Sequence, residues 1–144
     1  MYRPCVPDPY LHRVLYGDTD QMQVVYYASY LRFFEGARNE WIRGHDMTYA
    51  QIEAAGVMLP VVEAHVRYHR PARYDDLLEI ATAVSATRVR IRFDYEVRKQ
   101  GDPTLMIAGF TVHASIGKEG GRPVRMPQWL VDKLGPHVTQ GMPR

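Results

Sequence analysis

The sequence holds one cysteine, Cys5, which excludes an intramolecular disulfide framework and any multi-thiolate zinc site and makes a reducing compartment the simplest reading. No stretch approaches the roughly 18–20 uninterrupted apolar residues of a membrane-spanning helix. The opening MYRPCVPDPY carries prolines but no apolar run of the kind a secretory signal requires. Neither sign of charge dominates: 18 Lys and Arg against 16 Asp and Glu give +2, which predicts no general attraction to nucleic acid or membrane surfaces. Also missing are a Gly-x-Ser-x-Gly segment, a Gly-rich phosphate loop and any recognisable Ser-His-Asp or nucleophilic cysteine arrangement, which argues against the α/β-hydrolase route to ester chemistry. What remains is an ordinary folded chain: 144 residues, 46% hydrophobic and 24% charged, expected to form one domain over 1–144 with an extended leader over 1–9. Its expected location is the cytoplasm.

Periodicity sets the order of elements. YLHRVLY alternates as a first strand and runs into the Gly17-Asp18 turn signal. From Tyr27 to Arg43 the apolar positions Tyr27, Tyr30, Leu31, Phe34, Ala37 and Trp41 recur at steps of three and four, which predicts a long helix with a broad aromatic face and Gly44 as its stop. A short helix follows over Thr48–Ala55, with Thr48 as cap and Gly56 just past its end. Four β-rich runs come next, within 57–69, 77–87, 89–98 and 104–116. In the third, Val89, Ile91, Phe93, Tyr95 and Val97 alternate with charged residues, so one sheet face is apolar and the other charged. PQWLVDKLG predicts a last short helix closed by Gly135. The order is α+β: an antiparallel sheet of about five strands whose apolar face one long helix must cover.

Between the first strand and the long helix, Tyr16-Gly17-Asp18-Thr19-Asp20 places two carboxylates two residues apart in a turn. Local rules read this as a hydrogen-bonded turn. A calcium loop does not fit, since glycine is missing at the sixth position and glutamate at the twelfth, and no metal site is expected. The wider window YGDTDQMQVVYYASYLRFFEGARNEWIR resembles the signature of hotdog-fold acyl-CoA thioesterases of the 4-hydroxybenzoyl-CoA thioesterase family, through Tyr16, Asp18, Asp20, Val24, Val25, Tyr26, Tyr30, Leu31, Glu35 and Arg38. Tyr68-His69-Arg70-Pro71-Ala72-Arg73-Tyr74-Asp75-Asp76 resembles the family's second recurring segment, an aromatic before Pro-Ala-x-x-Asp-Asp. Gly121 to Pro127 resembles its closing one. The resemblance spans about residues 10 to 135.

That resemblance implies a long helix wrapped by an antiparallel sheet and hydrolysis of an acyl-CoA to a carboxylic acid and free coenzyme A, with no metal or redox cofactor. It makes Asp20 the catalytic carboxylate, as nucleophile or as base on a water, and the backbone amide of Tyr27 the donor to the thioester oxygen. It implies substrate contacts at Val25 and Tyr26, and a homodimer joined sheet edge to sheet edge, often doubled to a homotetramer. Two positions depart from the pattern. Gln23 replaces a usual glycine, which puts the loop's dihedrals in question, and Tyr27 replaces the histidine of one branch, leaving Asp20 as the single base.

Other residues carry open readings. Glu35 either contacts the far end of the acyl chain or pairs at the surface with Arg38 or Asn39. Arg88, Arg90 and Arg92 are either a solvated strand face or contacts for the phosphates of coenzyme A. Val61, within Met58-Leu59-Pro60-Val61-Val62, is a candidate wall of the acyl pocket, while Met22, Met58 and Met106 read as adaptable packing. His65 and His69 share a strand face and read as structural. The competing functional reading is a binding module for acyl thioesters that has lost hydrolysis through the altered loop at Gln23. A hotdog dehydratase lacks its His-x-x-x-Gly segment here.

Overall fold

The computed structural model describes residues 9–134. The expected leader, Pro9 apart, and Gly135 lie outside the described residues. Strand β1 (Tyr10–Arg13) leads through a single 3-10 turn (Tyr16–Asp18) to helices α1 (Ser29–Gly44) and α2 (Tyr49–Ala54). There follow β2 (Val57–Met58), β3 (Val61–Tyr68), β4 (Leu77–Ala86), β5 (Arg90–Lys99), β6 (Leu105–Ala114), β7 (Ile116–Gly117) and α3 (Gln128–Leu134). Five strands form one antiparallel sheet in the order β1-β4-β5-β6-β3, and β2 pairs with β7. This is the α+β hotdog arrangement that the resemblance implies.

Strand β5 alternates as read: Ile91, Phe93, Tyr95 and Val97 are buried, and the charged residues between them face the other way. Val89 differs, lying exposed in the turn before β5, where its carbonyl accepts the Ser115 amide at 2.8 Å. The apolar face is covered by α1 through Tyr30, Phe33, Phe34, Ala37, Trp41 and Ile42. Phe34 stacks on Tyr95 with centroids 4.3 Å apart, and Trp41 meets Phe93 edge-on at 6.1 Å. Each buried side chain of this size contributes roughly 1.5–3 kcal/mol relative to exposure. Close approach requires Gly109 on β6, where a Cβ would stand 2.6 Å from the His65 carbonyl oxygen and 2.7 Å from the Phe34 ring.

The start of α1 differs from the sequence reading. The helix begins at Ser29, and Tyr27 and Leu31, placed on its apolar face by spacing, are exposed. The helix starts past Tyr27 because the Tyr27 oxygen accepts the Tyr68 hydroxyl at 2.8 Å while the Leu31 amide turns to Ala28 at 3.2 Å; Leu31 lies on the helix flank beside the stripe of Tyr30, Phe34 and Ala37. Helix α2 has the predicted cap, with Thr48 Oγ1 accepting the Gln51 amide at 3.1 Å and Gly56 following at φ 86°.

Arg38 on α1 is buried, so Glu35 has no partner there. Its Nε donates to Tyr49 Oη at 2.8 Å and its Nη1 to Tyr95 Oη at 3.4 Å. The chain of bonds continues from Tyr95 to Thr111 (2.9 Å) and from Thr111 to His113 Nε2 (3.0 Å), and ends at His113 Nδ1 and the Leu59 carbonyl (2.9 Å). A carbonyl only accepts, so Nδ1 carries the proton and Nε2 accepts from Thr111. Burial, opposed by the Leu59 bond and helped by the nearby Arg38 charge, pushes the pKa of His113 down to about 4.

Candidate active site

The two aspartates of the turn occupy opposite environments. Asp18 is buried: Oδ2 accepts the Leu15 amide at 2.8 Å and lies 2.9 Å from His12 Nε2, and Oδ1 accepts from Arg32 at 2.7 Å. Burial alone would raise its pKa, but the Leu15 amide, His12 and Arg32 together outweigh that and hold it below the ordinary value. The Asp18 carbonyl also accepts the Tyr26 amide at 2.8 Å, so the loop closes across its base. Above that base the chain turns tightly. The Asp20 amide donates to Val24 at 2.9 Å, the Gln23 amide to the Asp20 carbonyl at 2.9 Å, and the Met22 amide to Asp20 Oδ1 at 2.8 Å.

Gln23 sits at φ 63°, in the left-handed region that glycine occupies without strain. The departure from the usual glycine therefore leaves the loop's turn intact and adds a cost of roughly 1 kcal/mol.

The second recurring segment docks against this loop. Ala72 is wholly buried; its carbonyl accepts the Val25 amide at 2.8 Å, and its amide donates to Tyr30 Oη at 3.4 Å. Burial pushes the Tyr30 phenol up to about 12, so it stays neutral. The His69 and Arg70 amides both reach the Met106 carbonyl, at 2.8 and 3.0 Å.

Between the two segments lies a cleft of about 320 Å³ walled by Asp20, Met22, Val25, Tyr27, Tyr68 and Ile107. Asp20 is half-buried and its side chain meets only the Met22 amide among the described residues. Tyr27 and Ala28 stand just before α1, at the positive end of its dipole, and neither amide finds an acceptor among the described residues. Both flanking carbonyls are engaged, that of Tyr26 by the Ser29 amide at 2.9 Å and that of Tyr27 by Tyr68. Asp20, whose side chain is bonded only through the Met22 amide, and Tyr27, whose own amide has no acceptor among the described residues, thus line one cavity, an arrangement suited to polarising and attacking a carbonyl.

Of the sequence-derived candidates, Asp20, Tyr27 and Val25 are brought together here. Tyr26 is beside them, its ring 4.6 Å from that of Tyr27, and contributes its amide to the loop's base. Glu35, Val61, Arg88 and Arg90 do not line this cleft. Val61 is at the far end of β3 from Tyr68, roughly 23 Å along an eight-residue strand. Arg90 opposes Ala114, whereas the cleft lies at the Tyr68–Ile107 end of the sheet, so Arg88 and Arg90 fall roughly 25–30 Å away. Arg92 lies over the Phe110 ring at 3.8 Å and pairs with Asp94 at 2.9 Å. His65 stacks on Phe110, but His69 faces the cleft instead of sharing a purely structural role. Tyr68 was visible only as the aromatic that opens the second segment, and nothing local marks its reach to Tyr27. Among the described residues no cluster of His, Cys, Asp and Glu is arranged to hold a metal, and no helix is long and apolar enough to cross a membrane.

Residues 14–134 match the thioesterase-like superfamily. The chain belongs to that family. Within this thioesterase-like group, the acyl-CoA thioester hydrolase YbgC of Escherichia coli is 45% identical over 76 residues, 53% of this chain and 57% of that protein, so the match spans little more than half of that relative's length. The acyl-CoA thioesterase YbgC of Haemophilus influenzae is 36% identical over 121 residues, 81% of this chain and 85% of that one. In three dimensions the thioesterase-like chain is similar to the 1,4-dihydroxy-2-naphthoyl-CoA thioesterase of Synechocystis, with TM-score 0.79 and 26% identity over 86% of this chain and 93% of that one.

Proposed function

We propose that this protein hydrolyses an acyl-CoA thioester to a carboxylic acid and free coenzyme A, with Asp20 as the reacting carboxylate. The observation that carries the reading is the cleft shared by Asp20 and Tyr27, whose amide finds no acceptor among the described residues. The thioester carbonyl sits between them. Asp20 either attacks the carbonyl carbon, forming an acyl anhydride that water then opens, or takes a proton from a water that attacks in its place. In both routes negative charge gathers on the carbonyl oxygen, where the Tyr27 amide stabilises it, and the C–S bond breaks to release the thiolate. No step is assigned to a metal or a redox cofactor.

The reading extends to assembly. Strand β3 is one of the two edges of the five-stranded sheet and is exposed except at half-buried Val66, with Val61, Val62 and Tyr68 all open. An unprotected edge of this kind favours pairing with a second copy into a homodimer, and two dimers into a homotetramer. Light scattering on the purified chain measures this directly.

The competing reading, a non-catalytic binding module, drew on Gln23; the turn it was expected to disturb is closed. Thiol release from a panel of acyl-CoAs separates the two, since a module binds without releasing thiol. Asp20→Asn keeps an oxygen for the Met22 amide and removes the reactive carboxylate. It should lower turnover by roughly 10²–10⁴ with the fold unchanged by circular dichroism. Full activity in that variant would overturn the assignment.

A further inference from the structure

The cleft's wall at Arg70 and Pro71 is also the wall of a second cavity, a groove of about 480 Å³ flanked by Arg73, Lys99, Asp76 and Asp102. The two cavities are neighbours across one ridge. We propose that this groove holds the phosphates of coenzyme A, with Arg70 and Arg73 as their ligands; the inference rests on the thioesterase reading above.

Shape comes first. An acyl-CoA carries its thioester at one end of a long flexible arm and its pyrophosphate and 3′-phosphate at the other. With the carbonyl between Asp20 and Tyr27, the arm must leave the cleft across a wall, and the Arg70-Pro71 ridge opens onto a cavity large enough for the other end.

Charge comes next. The groove has three cations and two carboxylates, and both carboxylates are already engaged. Asp76 Oδ1 lies 3.0 Å from Lys99 Nζ, and its Oδ2 accepts the Arg73 amide at 2.9 Å. Asp102 Oδ1 accepts the Thr104 amide at 2.9 Å, and that amide, with Arg70 and Lys99 nearby, holds its pKa low although it is exposed. The Arg70 and Arg73 guanidinium groups are exposed and make no hydrogen bond or ion pair among the described residues. Guanidinium forks match phosphate oxygens in pairs, so two free ones at the cavity mouth are suited to a phosphate.

Positioning comes last. The segment bearing both arginines is pinned on two sides, to β6 through the Arg70 amide and the Met106 carbonyl, and to the catalytic loop through Ala72 and Val25. The backbone that carries the two arginines is therefore fixed relative to the Asp20 loop, and their side chains reach from it over the groove. Arg88 and Arg90, at the other end of the sheet, have no such link within the chain.

Calorimetric titration of the intact protein with free coenzyme A and with pantetheine, which lacks the nucleotide and phosphates, tests the assignment. The wild type should bind coenzyme A at least about tenfold more tightly than pantetheine. In Arg70→Ala/Arg73→Ala that ratio should fall about tenfold, and in Arg88→Ala/Arg90→Ala it should hold. A wild-type ratio near one, a ratio kept in the Arg70/Arg73 variant, or a ratio lost in the Arg88/Arg90 variant alone would each overturn the proposal. Loss of the hydrolase reading shows separately, as no thiol release from benzoyl-CoA or hexanoyl-CoA while the coenzyme A titration still reports on the groove.

Discussion

Asp18 and Asp20 stand two residues apart with their carboxylates in opposite surroundings, the first sealed among Leu15, His12 and Arg32 and the second open to the cleft. One is bonded into the base of the loop and the other meets only the Met22 amide among the described residues. Asp18→Asn should therefore cost about 1–3 kcal/mol of stability at neutral pH, by urea unfolding. The folded-state pKa of Asp18 is lowered, so its contribution is fully present above the ordinary carboxylate value and is lost as pH falls through the folded one. The gap between wild type and variant should close toward low pH.

Tyr68 donates to the Tyr27 carbonyl across 41 positions of sequence at 2.8 Å. The bond fixes the peptide unit that follows Tyr27, and with it the orientation of the residue whose amide is the candidate oxyanion donor. Tyr68→Phe should lower kcat by roughly 3–30-fold with little change in KM, in steady-state thiol release. An equal rise in KM with kcat kept would instead mark a substrate contact.

Gly109 leaves room for Phe34 and the His65 carbonyl where a Cβ would stand within 2.7 Å of both. Gly109→Ala should destabilise by about 1–3 kcal/mol, since backbone on one side and a stacked ring on the other leave little room to shift. For a chain of this size that lowers Tm by roughly 3–10 °C in a thermal melt.

His113 is held neutral, its pKa pushed down to about 4 from the ordinary 6.5. Between those values the unfolded chain binds a proton that the folded chain refuses, so stability rises with pH across that window and is reduced below it. At about 1.4 kcal/mol per tenfold the full change is on the order of 3 kcal/mol. Urea midpoints from pH 4 to 7 should show the slope, and His113→Asn should lose this component of it.

Much of this was legible in residue type and spacing. The alternation of β5, the Thr48 cap and Gly56 followed from local rules because each concerns neighbours within a few residues. The apolar face of α1 was found through Tyr30, Phe34, Ala37 and Trp41, whereas Tyr27 falls before the helix because Tyr68 takes its carbonyl, which periodicity cannot see, and Leu31 lies on the flank of the stripe. Asp20 and Tyr27 were paired by motif, and a turn of seven residues was short enough to bring them to one cleft.

What lay beyond reach was every relation between distant segments. Charge on a strand does not say which end of the sheet it serves, so Arg88 and Arg90 read as possible contacts for the phosphates of coenzyme A, whereas the pairing of Tyr68 with Ile107 and of Arg90 with Ala114 puts them at the end of the sheet away from the cleft. Chemical identity and pattern are properties of neighbouring residues and survive in a string of letters. Strand register and helix packing are set by summed contacts among residues far apart in the chain, and here those contacts chose which aspartate is buried, which residues share a cleft with the other and which tyrosine holds the Tyr27 carbonyl.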